Sequence, residues 1–372
     1  MRTSHRCWAE VDLDALRENL AWIRHRAGPR IKVITVVKAD AYGHGLKPIA
    51  GLLMQSGTDI FGVANLTEAQ AIRSVGKGWP ILMLGACLPD EIEAAVCDDV
   101  MPTISSVGEV ERLSAAAAKA NKAVQVHVKI DTGMGRLGVA PEHASQLIRR
   151  IRSCPSLKLQ GIYTHFAAVE DDAEFSRQQI DSFKAVLNEV KAAGIRVPMV
   201  HANNSGAVLL ERSSIFSAVR PGLLVFGIIP PGERPVECTV RPALSWKCRV
   251  TLVRDVPRGT RLSYGGTFVA PKNMRAATLS AGYGDGYLRA GSNRSQVQIR
   301  GKRCPILGRI TMDQMLADVS HVPKVAAGDE VALIGGNISA NDVAAWAGTI
   351  PWEVLTAITY RVPRVYRGSQ AA

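Results

Sequence analysis

The 372-residue chain has no apolar stretch long enough to span a membrane. Its first residues, MRTSHRCWAEVDLDAL, lack the apolar core of a signal peptide. The seven cysteines, at 7, 87, 97, 154, 238, 248 and 304, are odd in number, scattered, and never form a C-x-x-C pair. That pattern argues against a disulfide framework or a cysteine zinc site and points to a reducing, cytoplasmic setting. No internal repeat or low-complexity tract stands out. The net charge is +12, yet the basic residues come in short clusters, RHRAGPR at 24–30 and RRIR at 149–152, without interleaved aromatics. A nucleic-acid surface needs a concentrated patch, so the charge reads as a solubility property, and neither nucleic acid nor membrane is expected as a partner.

What is present is alternation. The composition, 47% hydrophobic and 21% charged, is that of a soluble globular protein, and the length suits a barrel plus a smaller domain. Over 11–24, Leu13, Leu16, Leu20 and Ile23 fall at helical steps behind a capping Asp12. Strand-like apolar runs follow near 31–37, 59–64, 80–85, 100–104, 124–130, 157–163, 197–201 and 216–220, with amphipathic segments between them. Eight strands alternating with helices predict parallel βα units closing into an α/β, (β/α)8 TIM-type barrel. After IIPPGERP at 228–235 the pattern changes to short β runs punctuated by Gly and Pro, with one clear helix near 340–348. The expected division is a barrel over 1–235 and a smaller, mostly β domain over 236–372.

In such a barrel the active residues project from the C-terminal strand ends. Those ends hold Lys38 and Tyr42; Lys129, Asp131 and, in the Gly-rich loop after them, Arg136; Tyr163 and His165; His201, Asn203, Asn204 and Ser205; and Arg220 with Gly222. The set is cationic or hydrogen-bonding with few carboxylates, which suits an anionic ligand better than a metal. HANNSG before a helix, together with RPGL after the eighth strand, has the make-up of the barrel's phosphate site. A phosphate seat beside a lysine at a buried strand end suggests pyridoxal 5'-phosphate, held as a Schiff base. The strand-end candidate facing its ring nitrogen is Arg220, a donor that keeps its proton, which makes the ring a weaker electron sink and favours reprotonation at Cα over transamination. In the later domain, RLSYGG sets Tyr264 in a tight turn and GRITMDQM combines Met312 with Asp313.

VVKADAYGHG, KIDTGMGRLGV, THFA, NNSGA, VRPGLLVFG, LSYGGTF, AGYGDGY, GRITMDQ and YRVPR resemble, in order and over nearly the whole chain, the motifs of alanine racemases, fold-type III pyridoxal-phosphate enzymes. The resemblance implies interconversion of L-alanine and D-alanine, supplying D-alanine for peptidoglycan, by a homodimer whose two sites lie where each barrel meets its partner's β domain. It implies two bases, Lys38 and, from the other subunit, Tyr264. Tyr42, Ser205, Gly222 and Leu223 match phosphate contacts, and Arg220 matches the ring-nitrogen partner. Arg136 matches the residue near the cofactor's phenolic oxygen and the substrate carboxylate, and the Met312 backbone matches the other carboxylate contact. His165 and His201 match ring-adjacent positions, with His201 expected between Arg220 and Tyr264. Lys129 matches a lysine often carbamylated, Asp313 accompanies Met312, and Glu170, Tyr283 and Arg289 match the approach to the site. Two positions depart from the family: Thr311 stands where Cys is common, and Trp352 where many members carry a tyrosine bordering phosphate and substrate methyl. The alternatives are a broad-specificity or serine racemase of the same fold, a decarboxylase of basic amino acids, whose acidic distal pocket is not found here, and a non-catalytic cofactor carrier, which would resemble the barrel alone.

Overall fold

A computed structural model describes residues 5–210, 215–232 and 237–368. Strand β1 (Cys7–Asp12) comes first, and Asp12 caps the helix Leu13–Ala27 by accepting the Ala15 N–H. That helix buries Leu16, Leu20 and Ile23 in one stripe.

The next eight strands are β2 (Lys32–Val36), β3 (Ile60–Val63), β4 (Ile81–Ala86), β5 (Val100–Ile104), β6 (Val124–Lys129), β7 (Leu157–Tyr163), β8 (Met199–His201) and β9 (Ala218–Val219). They pair in parallel in chain order, and β9 returns to β2 to close the barrel. Each of the eight matches an apolar run read from the sequence. Helices between them are set by local caps, such as the reciprocal Ser106–Glu109 box before Val107–Lys119.

Inward side chains lie two residues apart along a strand. One level of the interior is apolar: Ile34, Ile60, Leu82, Met101, Met199 and Ala218. Two residues on, Met101 is succeeded by Thr103, Met199 by His201 and Ala218 by Arg220, all buried. The interior therefore turns from apolar to polar toward the strand ends, where barrels of this kind build their sites.

The later strands are β10 (Leu244–Val256), β11 (Arg261–Leu262), β12 (Phe268–Val269), β13 (Met274–Leu279), β14 (Gln296–Ile299), β15 (Lys302–Pro305), β16 (Met315–Asp318), β17 (Glu330–Ile334) and β18 (Arg364–Arg367). The main sheet runs β15-β14-β17-β10-β1-β18, with β13 and β16 extending from β10. Here the structure departs from the expected division at 235/236, a boundary that itself lies outside the described residues. The first strand, expected with the barrel, lies inside the later sheet, antiparallel to β10 and parallel to β18. The reason is burial: Ala9 and Val11 are wholly enclosed, and their backbone groups need strand partners on both sides. The sequence reading also passed over β18 and the short helix Pro351–Thr356. Among the described residues no helix is long and apolar enough to cross a membrane.

Candidate active site

A cavity of about 720 Å³ opens at the C-terminal ends of the barrel strands. Of the residues singled out from the sequence, it brings together Lys38, Tyr42, Lys129, Arg136, His165, Glu170, Ser205, Arg220, Gly222, Leu223 and Trp352. Burial, then the charges of Arg136 and Arg220, hold the Lys38 amine below its usual pKa, with Glu68 partly opposing them. A lysine so placed is neutral more often and hence more nucleophilic. Lys129 feels the same influences, burial first, and is brought down to about 8. Glu170, expected on the approach, is part of the wall itself, its carboxylate against Gly206, and burial raises its pKa.

Lys38 ends a strand and begins an unusual turn. Residues 39–42 all have φ of 53° and ψ between 42° and 57°, one turn of left-handed helix with no glycine in it. Each such residue costs roughly 1–2 kcal/mol. Gly43 and Gly45 after this turn also have positive φ, 77° and 97°, but the helical run itself is made of Ala39, Asp40, Ala41 and Tyr42. This turn brings Lys38 and Tyr42 to the same cavity.

The anion seat is built from two loops. Ser205 Oγ accepts the N–H groups of Gly222 (2.9 Å) and Leu224 (3.3 Å), which leaves its own hydroxyl proton free to donate outward. Asn204 Oδ1 accepts the Ala207 N–H and fixes the turn into the helix Ser205–Leu210. A Cβ on Gly222 would run into the Tyr42 hydroxyl, so only glycine allows that approach.

Beneath the cavity, Arg220 is 4% exposed and donates four hydrogen bonds, to Thr164 O (2.8 Å), Ala202 O (2.8 Å), His201 Nδ1 (2.7 Å) and His165 Nδ1 (3.1 Å). Arginine only donates, so both histidines must accept at Nδ1 and carry their proton at Nε2. His201 Nε2 then donates to His127 Nδ1 at 2.9 Å. Burial, then the arginine charge, holds all three imidazoles neutral, and His127 falls to about 3. Burial lowers Arg220 to about 10, still far above neutrality, so the guanidinium keeps its charge. Tyr163 stacks on His201 at 4.7 Å between ring centroids and lies under the Arg220 guanidinium.

This network corrects one expectation. His201 is wholly buried, and its second nitrogen faces His127 rather than a tyrosine from the other domain. His165, on the cavity wall, is the histidine that faces outward from Arg220. His127 was not singled out from the sequence. Its signal was the alternation of VQVHVK, which places His127 on the same inward face as Lys129.

Of the later domain, Ile350 and Trp352 line this cavity, whereas Tyr264, Tyr283, Arg289, Met312 and Asp313 do not. Tyr264 is 72% exposed and Met312 54%. Tyr283 and Arg289 lie in short 3-10 turns of the same domain. These loops are stitched together: the Tyr283 N–H donates to Thr311 O, the Gly284 N–H to Met312 O, and Asn293 Nδ2 to Thr267 Oγ1. Arg361 bridges Asp313 (2.7 Å) and Asp285 (3.0 Å). Among the described residues no three His, Cys, Asp or Glu side chains gather as a metal site.

Residues 11–230 match the family model for the alanine racemase N-terminal domain, and residues 243–366 that for the C-terminal domain. An alanine racemase of Halothermothrix orenii is 39% identical over 371 residues, covering 98% of each chain. Among solved structures, the alanine racemase of D-cycloserine-producing Streptomyces lavendulae superposes with a TM-score of 0.93 at 33% identity, over 99% of both chains. That of Bartonella henselae, with covalently bound pyridoxal phosphate, superposes with a TM-score of 0.89 at 29% identity, over 98% of this chain and 100% of the other.

Proposed function

Since the chain belongs to the alanine racemase family, we propose that it interconverts L-alanine and D-alanine with pyridoxal 5'-phosphate in the barrel cavity, using Lys38 and Tyr264 as the two bases. The observation that carries this reading is a neutral-leaning lysine, an anion seat and a fully anchored arginine around one cavity.

The residues present fit the cofactor. Ser205 has a hydroxyl proton to give, Tyr42 brings a second hydroxyl against Gly222, and the Leu223 N–H opens its turn between the two N–H groups that Ser205 Oγ accepts. When bound, the cofactor supplies an electron sink for negative charge at the substrate Cα. Lys38 would hold the cofactor through its amine and, with substrate bound, would exchange a proton at Nζ with one face of Cα. Tyr264 of the partner subunit exchanges a proton at its hydroxyl on the other face, and the reverse reaction swaps the two roles. Arg220 would donate to the ring nitrogen while keeping its own proton, which would favour return of the proton to Cα. Arg136 and the Met312 N–H orient the substrate carboxylate. The neutral fraction that a pKa of about 8 allows Lys129 supports carbamylation: the amine adds to carbon dioxide and releases a proton, giving an anion beside Arg136.

The homodimer belongs to the same proposal, as do a cytoplasmic setting and supply of D-alanine for peptidoglycan. It is supported by the exposure of Tyr264 and Met312 on loops that end outside the cavity. Trp352, Ile350 and Leu84 give the cavity apolar walls, which favour a methyl side chain over a hydroxymethyl one. The test is D-product formation from L-alanine and from L-serine by the purified protein, with the bound cofactor's absorbance recorded. Alanine should exceed serine by at least about tenfold. Serine turnover equal to alanine would instead establish the broad-specificity alternative, and bound cofactor without racemisation would point to a carrier.

A further inference from the structure

We propose that Arg364, supported by Glu68 and Tyr366, is a positioning residue for the reaction: it holds the left-handed turn 39–42 in the shape that presents Lys38 and Tyr42 to the cavity. The inference rests on the reading of Lys38 as the residue that carries the cofactor.

The turn does not hold itself. Non-glycine residues avoid this conformation, and here four follow one another directly after the lysine. Strain kept at a functional site persists only where the surroundings over-determine it. The surroundings grip this turn at both ends. At its start, the two oxygens of Glu68 accept the N–H groups of Ala39 (2.7 Å) and Ala64 (2.8 Å), tying the turn to the end of β3. At its finish, Arg364 Nε donates to Gly43 O at 2.9 Å. The two other nitrogens of the same guanidinium donate to Thr359 O and Val362 O, both 2.6 Å, and to Ile358 O, 2.8 Å. A planar, rigid fork thus fastens the turn to the segment just before β18. Tyr366, on β18 itself, donates to His44 O at 3.0 Å.

Two details favour positioning over general packing. The hydrogen-bond partners of Arg364 are backbone carbonyls, so its directional donors fix backbone rather than balance charge. Gly43 leaves no slack either: a Cβ there would meet the Leu355 carbonyl, in the helix that also carries Trp352. The later domain thereby reaches across to set the catalytic turn of its own barrel.

The test uses the full chain with Arg364→Met, Arg364→Lys, Tyr366→Phe and Glu68→Gln. Two readouts are taken: amide hydrogen exchange over 38–46 without ligand, and the rate at which pyridoxal phosphate becomes covalently attached to Lys38, trapped by borohydride and located by peptide mass. Arg364→Met should speed exchange at 41–46 and slow attachment, each by about tenfold or more, the scale of a lost charged hydrogen bond. Tyr366→Phe and Glu68→Gln, which leave the 358–362 segment untouched, should move both readouts the same way by about threefold. Arg364→Lys should recover only part of the loss. Wild-type values in Arg364→Met would overturn the proposal. So would a change confined to Arg364→Met, because Arg364 would then act only on 358–362. If the wild-type chain attaches no cofactor at Lys38, the functional reading fails instead, while the exchange arm still reports on the turn.

Discussion

Arg220 donates four hydrogen bonds within its own chain and is almost fully enclosed, whereas Tyr264 stands 72% exposed at the other end of the reaction as proposed. The barrel side is held by its own residues. Its histidines have one allowed tautomer each, its arginine has one orientation, and its lysine is already inclined to the neutral form. The β-domain side has its loops tied to one another, while its tyrosine stands out in the open. A buried guanidinium such as that of Arg220 has to be satisfied internally, because an unpaired buried charge would be costly. A residue that acts on a site outside its own domain has to remain at the surface.

The contrast is broken most severely by removing Lys38. Lys38→Ala should abolish covalent cofactor attachment and cut racemisation by about 10⁴ or more, seen in the cofactor absorbance and in D-alanine yield. Substantial turnover in that variant would remove the barrel half of the argument. Tyr264→Phe should be directional: in deuterium oxide, Cα exchange from L-alanine should fall by about 10²–10⁴ while exchange from D-alanine falls far less. Equal losses from the two isomers would mean that Tyr264 does not serve one face.

Acid should strike the barrel first. His44 and His127 ordinarily titrate at 6.5 and are lowered by burial to about 4 and about 3. His165 and His201 are lowered well below 6.5 as well. Between those values the unfolded chain binds protons that the folded chain refuses. Stability is therefore full above pH 6.5 and declines as the pH falls through the window, levelling off below about 3 for His127. Each histidine contributes up to about 1.4 kcal/mol per pH unit. Urea unfolding at pH 7 and pH 5, with amide exchange resolved by strand, should show the barrel strands loosening before the β10 sheet, and equal stability at the two values would contradict the buried neutral imidazoles.

The mildest test sharpens the comparison most. Lys38→Ala and Tyr264→Phe chains, each inactive alone, should regain activity when unfolded together and refolded. In a mixed dimer with shared sites, one site takes both substitutions and the other takes neither, so about a quarter of wild-type activity should return. No recovery would place both bases in one chain.

How far the sequence carried this depended on what each residue has to do locally. The eight barrel strands were legible because each is a short apolar run, and their C-terminal ends could be read off for Lys38, Arg136, Ser205 and Arg220. The first strand was not, since CWAEVD finds its neighbours only at β10 and β18, far away in the chain. His127 hid in an ordinary strand alternation. The left-handed turn was unreadable in kind: ADAY carries no residue that prefers that conformation, and the reasons for it, Glu68, Arg364 and Tyr366, lie elsewhere.

The place of β1 also sets a timetable. Cys7 pairs with Cys248, and Ala9 with both Trp246 and Arg364. At ordinary rates of synthesis the first strand leaves the ribosome roughly ten to fifty seconds before β10 does. Its second neighbour, β18, emerges later still. During that interval β1 is a bare edge, free to recruit any other extended segment. The barrel strands in between pair with chain neighbours and need not wait. A strand made before the barrel thus finds its seat after it, and crowding of nascent chains would do its harm there.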